Sequence, residues 1–443
     1  MKIYNSYKGK VEEFKSINEN QLNIYVCGPT VYNYIHIGNA RPVVFFDTLR
    51  RFFEIKGYQV KFVSNFTDID DKIIEKAKAE KASEMVIANK YIDAFLTDLK
   101  NLNCKIDYIK PRVTEYIDHI IDFIQELIDK DYAYNVNGDV FFRVEKIKEY
   151  GALSNRNIED LRSGSRIDVN PNKESPLDFT LWKKTSEGIN FAAPFSKGRP
   201  GWHTECVAMI DDIFNQQIDI HGGGSDLKFP HHENEIAQSI ALNNHRLAKY
   251  WMHNGRVNFN DSKMSKSLGN MILVKDVDAK MPLRYFLLST HYRSPLNYEE
   301  DSFNMYIKEY EKLNTIARQI FVKLELANKL TEVKITDQEI KSLVKEFDNS
   351  LEDDFNTANA ITALQSLLKI ANAGIRKKID YDYLNQLLKA LNYMSYILGL
   401  DIKMERLSEE DKTMYHDWQN ARKSKDFKLA DKLRDELIDR GLL

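Results

Sequence analysis

Cysteine is scarce, with three in 443 residues. So small a supply excludes a disulfide framework and fits a reducing compartment. No apolar run approaches the roughly 18 residues that a membrane-spanning helix needs. The start, Met1-Lys2-Ile3-Tyr4-Asn5, lacks the apolar core of a secretion signal. The chain is therefore expected in the cytoplasm, with no membrane partner. An excess of charge of either sign is missing too, since 63 basic against 66 acidic residues leave a formal net charge of −3. That balance gives no global sign of a polyanionic partner, although a local basic face can hide in a neutral total. Internal repeats and low-complexity tracts are absent as well. The length leaves room for roughly two to four domains with large cores.

What is present begins with a strand, Leu22 to Val26, broken by Gly28-Pro29. A loop carrying His36 leads into a helical pattern from about Arg41 to Phe53, Gly57 ends it, and Val60 to Ser64 reads as a second strand. This strand–helix–strand unit is the usual start of a doubly wound parallel sheet, which binds ligands at the carboxyl ends of its strands. Asn65-Phe66-Thr67-Asp68 falls at such an end, and helical patterns follow over Lys72 to Leu102. From about Pro111 to Pro194 the character changes, with a strand at Asp139 to Val144 and a polar loop at Arg162-Ser163-Gly164-Ser165-Arg166, as expected of an insertion between two halves of the sheet. The nucleotide-type pattern resumes near Gly201. Ile218-Asp219-Ile220 reads as a short strand ahead of His221-Gly222-Gly223-Gly224-Ser225-Asp226, and a helix is expected over His231 to Asn243. Beyond Tyr306 the three-to-four spacing of apolar residues predicts a helix bundle closed by Gly399, then a charged amphipathic segment from Glu409 to Arg440.

Two short motifs carry the phosphate chemistry. His36-Ile37-Gly38-Asn39 sits where a loop meets a helix, and a helix N-terminus offers free amides and a positive dipole end to an anion. Gly38 admits close approach of a ribose or base, and His36 can hydrogen-bond phosphate oxygens as charge develops. About 225 residues later comes Lys263-Met264-Ser265-Lys266-Ser267, in a segment with the composition of a mobile loop. Its two lysines suit the neutralisation of a leaving pyrophosphate. Alone, the first string also fits a capped helix and the second a solvated lysine loop. In this order, and with this distance between them, they read as the two halves of an ATP-activating site.

A third feature bears on what is activated. Cys27, Cys206, His231 and Glu235 form a plausible zinc set, because zinc takes sulfur and imidazole ligands and a carboxylate can complete four. His231 and Glu235 stand at i and i+4 of the expected helix and share a face. His232, with Ile236 at i+4, is the poorer candidate and meets Glu235 only at i+3. Taken singly, Cys27 and Cys206 also fit packed core thiols, as Cys104 does. A metal beside an adenylation site implies a substrate group that binds metal.

These strings, together with Tyr25-Val26-Cys27-Gly28-Pro29-Thr30, Phe66-Thr67-Asp68-Ile69-Asp70-Asp71-Lys72, Arg199-Pro200-Gly201-Trp202-His203-Thr204-Glu205-Cys206, Phe229-Pro230-His231-His232-Glu233-Asn234-Glu235 and Asp354-Phe355-Asn356-Thr357, make the chain resemble the bacterial-type cysteinyl-tRNA synthetases of class I. The resemblance implies an α/β fold, a Rossmann-type doubly wound parallel sheet with an inserted connective domain, followed by an all-α helix bundle. It implies one zinc ion held by Cys27, Cys206, His231 and Glu235, with the substrate thiolate taking a zinc position and with Cys27, Thr67 and Trp202 at the cysteine pocket. His36, Asn39, Lys263 and Lys266 would be catalytic. His36, Gly38, Asn39, Gly222, Gly223, Asp226 and Lys266 would bind ATP, which enters with Mg2+. Expected partners are tRNA(Cys), L-cysteine and ATP, and the expected state is a monomer.

The implied domains are 1–110 and 195–243 for the two halves of the catalytic sheet and 111–194 for the connective insertion. A stem-contact region with the lysine loop covers 244–305, an anticodon-binding-type bundle 306–400, and a short C-terminal helical segment 401–443. The chain departs from the family twice. Position 39 is asparagine where class I enzymes usually have histidine. The chain also stops at Gly441-Leu442-Leu443, where the family usually continues with a Gly- and Trp-bearing strand segment that helps read the anticodon, so the last segment is expected to be truncated. Arg422, Lys423 and Lys425 are candidate phosphate contacts and equally fit a solvated helix face. A ligase joining activated cysteine to a small amine would share the activation site, but the long bundle favours tRNA. Intact lysines and a complete metal set disfavour a non-catalytic tRNA-binding relative.

Overall fold

The computed structural model describes residues 1–157, 170–264, 269–440 and 442, without the side chain of Lys263. They form two units, Met1–Lys280 with Tyr292–Tyr298, and Met281–His291 with Glu299–Leu443.

In the first unit β1 (Lys2–Asn5) and β2 (Lys10–Glu13) form a hairpin ahead of β3 (Gln21–Val26), α1 (Ile37–Ile55) and β4 (Gln59–Val63). Leu22 to Val26 are all buried, the run expected of a strand covered on both faces. The helical stretch after Thr67 is split into α2 (Asp71–Glu80) and α3 (Glu84–Asn101). Lys81 takes a left-handed conformation, φ 53°, and the Ser83 hydroxyl caps the next helix on Val86 N.

After α4 (Ile117–Asp129), β5 (Ala133–Val136), β6 (Asp139–Phe142), β7 (Phe179–Lys184), β8 (Phe191–Ala192) and β9 (Lys197–Pro200) build a separate sheet in the order β5-β6-β7-β9-β8, antiparallel throughout. The Arg162–Arg166 string lies outside the described residues. The chain then re-enters the first sheet through α5 (Glu205–Phe214), β10 (Ile218–Gly224), α6 (Glu233–Asn243) and β11 (Ala248–Asn254). That sheet is parallel, in the order β11-β10-β3-β4, with Ile24 paired to Ile220 on one side and Phe62 on the other.

One strand is longer than its sequence pattern suggests. The apolar alternation stops at Ile220, yet β10 stays paired with β11 through Gly224. Glycine is a poor strand former, which hides the strand from a pattern reading. Its use here is steric: a Cβ at Gly222 would lie 2.0 Å from Cζ of Phe46 on α1. Beyond β11, β12 (Val257–Phe259) and β13 (Ser262–Lys263) form a hairpin. After α7 (Lys280–Leu288), β14 (Leu296–Tyr298) pairs with β12 in parallel.

The second unit is helical, with α8 (Glu300–Leu326), α9 (Gln338–Glu352), α10 (Thr357–Arg376), α11 (Tyr381–Leu398), α12 (Glu409–Lys423) and α13 (Phe427–Asp439). On α8 the buried Phe303, Tyr310, Leu313, Ala317, Ile320 and Leu324 trace one apolar stripe. Caps from Asp337, Asn356, Asp380, Ser408 and Asp426 start the later helices. Gly399 ends α11 at φ +66°, and any Cβ there would meet the Arg284 guanidinium at 2.1 Å. Arg284 uses that space to donate from Nε to Leu398 O at 2.6 Å. No helix among the described residues is long and apolar enough to cross a membrane.

Candidate active site

Strand ends β3, β4 and β10 converge on a cavity of about 500 Å3. Its walls include Cys27, His36, Thr67, Trp202, Asp226 and Met264. His36 is the N-cap of α1, its Nδ1 accepting from Gly38 N at 3.1 Å. Asn39 answers from the other side, its Oδ1 accepting from His36 N at 3.3 Å. That is a capping box built with His and Asn. An Nδ1 that accepts leaves the neutral ring's proton on Nε2, the atom from which a phosphate oxygen would accept.

Gly38 and Asp226 line the cavity, whereas Gly222 and Gly223 lie back in β10. Gly223 faces Leu227 and His232, so its near neighbours are protein groups. Lys266 lies outside the described residues, as does the side chain of Lys263.

Cys27 leaves the end of β3, Cys206 is in the first turn of α5, and His231 and Glu235 bracket the start of α6. One donor atom from each lies within 4.8 Å of all the others. The edges measured are Cys27 Sγ–Cys206 Sγ 3.7 Å, Cys206 Sγ–His231 Nε2 3.7 Å, Cys27 Sγ–Glu235 Oε1 3.7 Å and His231 Nε2–Glu235 Oε1 3.0 Å. Tetrahedral zinc bonds of about 2.0–2.3 Å require ligand–ligand edges of about 3.3–3.8 Å. Three edges fall in that range and the fourth is slightly short. The donor set therefore fits zinc, with three of its six edges at tetrahedral length and all of them within 4.8 Å.

The electrostatics of the group describe the same demand for a cation. Burial pushes the Cys27 thiol up, while the hydrogen bond from Cys27 draws Cys206 down to about 6. Burial opposes charge on His231, but Glu235 and Cys206 outweigh it and lift the imidazolium to about 10. Glu235 stays ionised although fully buried, because His221 and His231 overcome the desolvation. A thiolate and a carboxylate thus share a buried corner of the cavity, and a bound cation would replace the proton that His231 holds.

Cysteine-pocket candidates cluster beside this group. Trp202 stacks on His231, centroids 4.5 Å apart and planes 23° apart, and is 42% exposed. Thr67 donates from Oγ1 to Glu205 Oε2 at 2.8 Å. Gly28 N donates to Asn65 Oδ1 at 2.9 Å.

Residues 13–308 match the model of the "tRNA synthetases class I (C) catalytic domain", and residues 346–403 match the DALR domain. A cysteine--tRNA ligase of Geobacillus thermodenitrificans (strain NG80-2) is 46% identical over 453 positions, covering 100% of this chain and 96% of the relative. One from Finegoldia magna (strain ATCC 29328 / DSM 20472 / WAL 2508) is 47% identical over 451 positions, covering 100% and 97%. The chain belongs to the cysteine--tRNA ligase family. Its fold is also that of a solved Mycobacterium tuberculosis methionyl-tRNA synthetase bound by methionyl-adenylate, at a TM-score of 0.63 and 15% identity, covering 90% of this chain and 94% of the other. Membership makes the chain a class I synthetase, an enzyme of the ligase type.

For this family member, sequence periodicity alone undervalues several residues. His232 has its Nε2 3.3 Å from Cys27 Sγ, and with Cys27, His221 and Glu235 it makes a second close donor group. An α-helical wheel sets His232 aside from the His231 face. The chain enters α6 through a wider turn, Lys228–His232, with Phe229 extended at φ −141°, and both histidines end up buried in the site. His232 Nδ1 in turn lies 2.8 Å from His253 Nε2.

His221, His203 and Glu205 also belong to the cluster. His221 Nε2 is 2.8 Å from Glu235 Oε2, and His203 Nδ1 is 3.2 Å from His231 Nδ1. Burial and the Cys206 charge push the Glu205 carboxyl well above its usual range. The signal for these residues was adjacency in the strings, since each stands within two places of a glycine-run or metal candidate, or in the case of His203 next to Trp202. Cys104 is buried, its Sγ 3.9 Å from Leu102 O, and Arg422 lies over the Trp418 ring at 4.8 Å.

Proposed function

We propose that the chain activates L-cysteine with ATP and Mg2+ and transfers it to tRNA(Cys). The cysteine carboxylate attacks the α-phosphate and pyrophosphate leaves. A ribose hydroxyl of the terminal adenosine then takes the cysteinyl group and AMP leaves. His36, with its Nε2 proton, and the two lysines stabilise charge on the phosphates, with no side-chain nucleophile required. Asn39 serves by holding the His36 turn through the capping box. Gly38 keeps that turn open to ATP. Asp226 lines the same cavity, and Gly222 and Gly223 contribute by letting β10 pack closely.

The observation that carries the reading is the two-thiol, imidazole and carboxylate group set into the wall of the nucleotide cavity. Zinc bound there would supply a coordination position that a thiolate fills well and an alcohol poorly, which selects cysteine over serine. Trp202 and Thr67 complete the pocket. An apolar pocket alone rejects such a near-isostere weakly. On this reading 111–194 is the connective insertion, 244–305 the stem-contact region and 306–400 the anticodon-binding bundle. The short segment 401–443 offers Arg422, Lys423 and Lys425 to tRNA phosphates. The protein works in the cytoplasm as a monomer. Cysteine-dependent exchange of labelled pyrophosphate into ATP tests the reading. Exchange is expected with cysteine and not with serine, and no exchange by zinc-loaded protein would refute it.

A further inference from the structure

Helix α1 does more than present His36. Positions 38, 41 and 45 are one stripe of that helix. The first two meet chain that leads into the lysine motif, and the third meets the segment that crosses that chain at Gly255. A Cβ at Gly38 would stand 3.3 Å from Met264 Cε. Arg41, 1% exposed, donates from Nη1 to Ser294 O at 2.6 Å and Gly255 O at 2.8 Å, with Arg256 O at 3.4 Å. Phe45 stacks on Tyr292, centroids 4.3 Å apart and planes 18° apart.

The two chains that Arg41 grips cross tightly. Gly255 N donates to Tyr292 O at 2.7 Å and Leu296 N to Arg256 O at 2.9 Å. A Cβ at Gly255 would lie 2.3 Å from Ser294 O, so glycine is what allows one guanidinium to reach both backbones. Gly255-Arg256 is the root of the β12–β13 hairpin, which ends on Lys263. On the far side of the lysine motif, Ile37 N donates to Ile272 O and Val274 N to Ile35 O, each at 3.0 Å. The described chain on the two sides of the lysine motif is thus bonded to one stretch, Ile35 to Arg41, through Arg41 before the motif and through Ile35 and Ile37 after it.

We propose that Arg41 is a positioning residue for adenylation, fixing the root of the lysine hairpin to the helix that begins at His36. This rests on the adenylation reading above. A planar guanidinium locks two carbonyls in one geometry. Lysine ends one atom short of Nη1 and carries its charge on a flexible stem.

The test is a double-mutant cycle on pyrophosphate exchange, combining Arg41→Lys with Lys266→Ala. Alone, Arg41→Lys is expected to lower kcat by about 10–100-fold, the size of a small misplacement of a reacting group. Zinc content and the KM for cysteine stay at wild-type values. In the Lys266→Ala background the same change is expected to cost far less, because both act through the lysine motif. Fully multiplicative losses, or an unchanged kcat in folded Arg41→Lys protein, overturn the proposal. Should Arg41→Lys fail to fold, Phe45→Leu loosens the same stripe and is read in the same cycle with the same criteria. Wild-type protein without cysteine-dependent exchange overturns the adenylation reading itself, a result distinct from multiplicativity.

Discussion

Glu235→Gln keeps the shape of a fully buried side chain and removes its charge. Glu235 Oε1 lies 3.0 Å from His231 Nε2, and Oε2 lies 2.8 Å from His221 Nε2. A glutamine can direct its carbonyl at one imidazole only, and its amide then faces the other or the metal position with a donor where an acceptor is required. A bound cation displaces the proton that His231 shares with Glu235, so what the substitution removes from the metal-bound form is one charged ligand. Changes in the surroundings of metal ligands already cost about 10–100-fold in affinity, so losing the ligand charge itself should weaken zinc binding by about 100-fold or more. Competition with a chromogenic chelator measures this on purified protein, with circular dichroism showing that the fold is kept. Folded Glu235→Gln protein with wild-type zinc affinity would refute the assignment of Glu235 as a ligand.

Three other substitutions probe separate parts of the account. Lys266→Ala should slow cysteine activation by about 10²–10³-fold, as expected for one lost transition-state donor, and near-normal exchange would remove the residue from the mechanism. At Gly28→Ala the new Cβ would stand 1.6 Å from the backbone oxygen of Asn65, a backbone contact that no rotamer relieves. A loss of more than about 3 kcal/mol in urea unfolding is expected, and a stable variant would contradict the close approach. Burial pushes Asp98 up from 3.8 to about 6 against the pull of Lys280 and Lys275. Because the folded state holds that proton more tightly, its ionisation costs stability as pH rises from about 4 to 6. Asp98→Asn should therefore gain up to about 3 kcal/mol above pH 6 and nothing near pH 4, and a gain independent of pH would contradict the cause.

Much of this was legible in the sequence because burial leaves periodic marks. The β3–α1–β4 unit announces itself by an apolar run, a three-to-four spacing and a closing glycine. The bundle repeats that spacing for a hundred residues. Local departures from regular periods are what the pattern conceals. The glycines at 222 to 224 are strand residues whose pairing depends on Phe46, which is distant in sequence. The wide turn at Lys228–His232 cannot be seen on a 3.6-residue wheel, so His232 was undervalued. The basic residues around 423 lie in the middle of the amphipathic segment from Glu409 to Arg440, and the pattern shows no break there. The structure turns there, with Lys425 at φ 60° and Asp426 capping α13. Arg41 shows no signal at all, because its carbonyl partners come from chain more than two hundred residues away.

The central claim is that a metal-type pocket in a nucleotide site makes this chain charge tRNA with cysteine alone. Charging of tRNA(Cys) with labelled cysteine, ATP and magnesium, with serine in competition and with zinc-loaded and zinc-stripped protein side by side, tests it most directly. The account predicts cysteinyl-tRNA from the loaded protein only, undiminished by excess serine. Equal charging by verified metal-free protein, or seryl-tRNA from the loaded one, would contradict it.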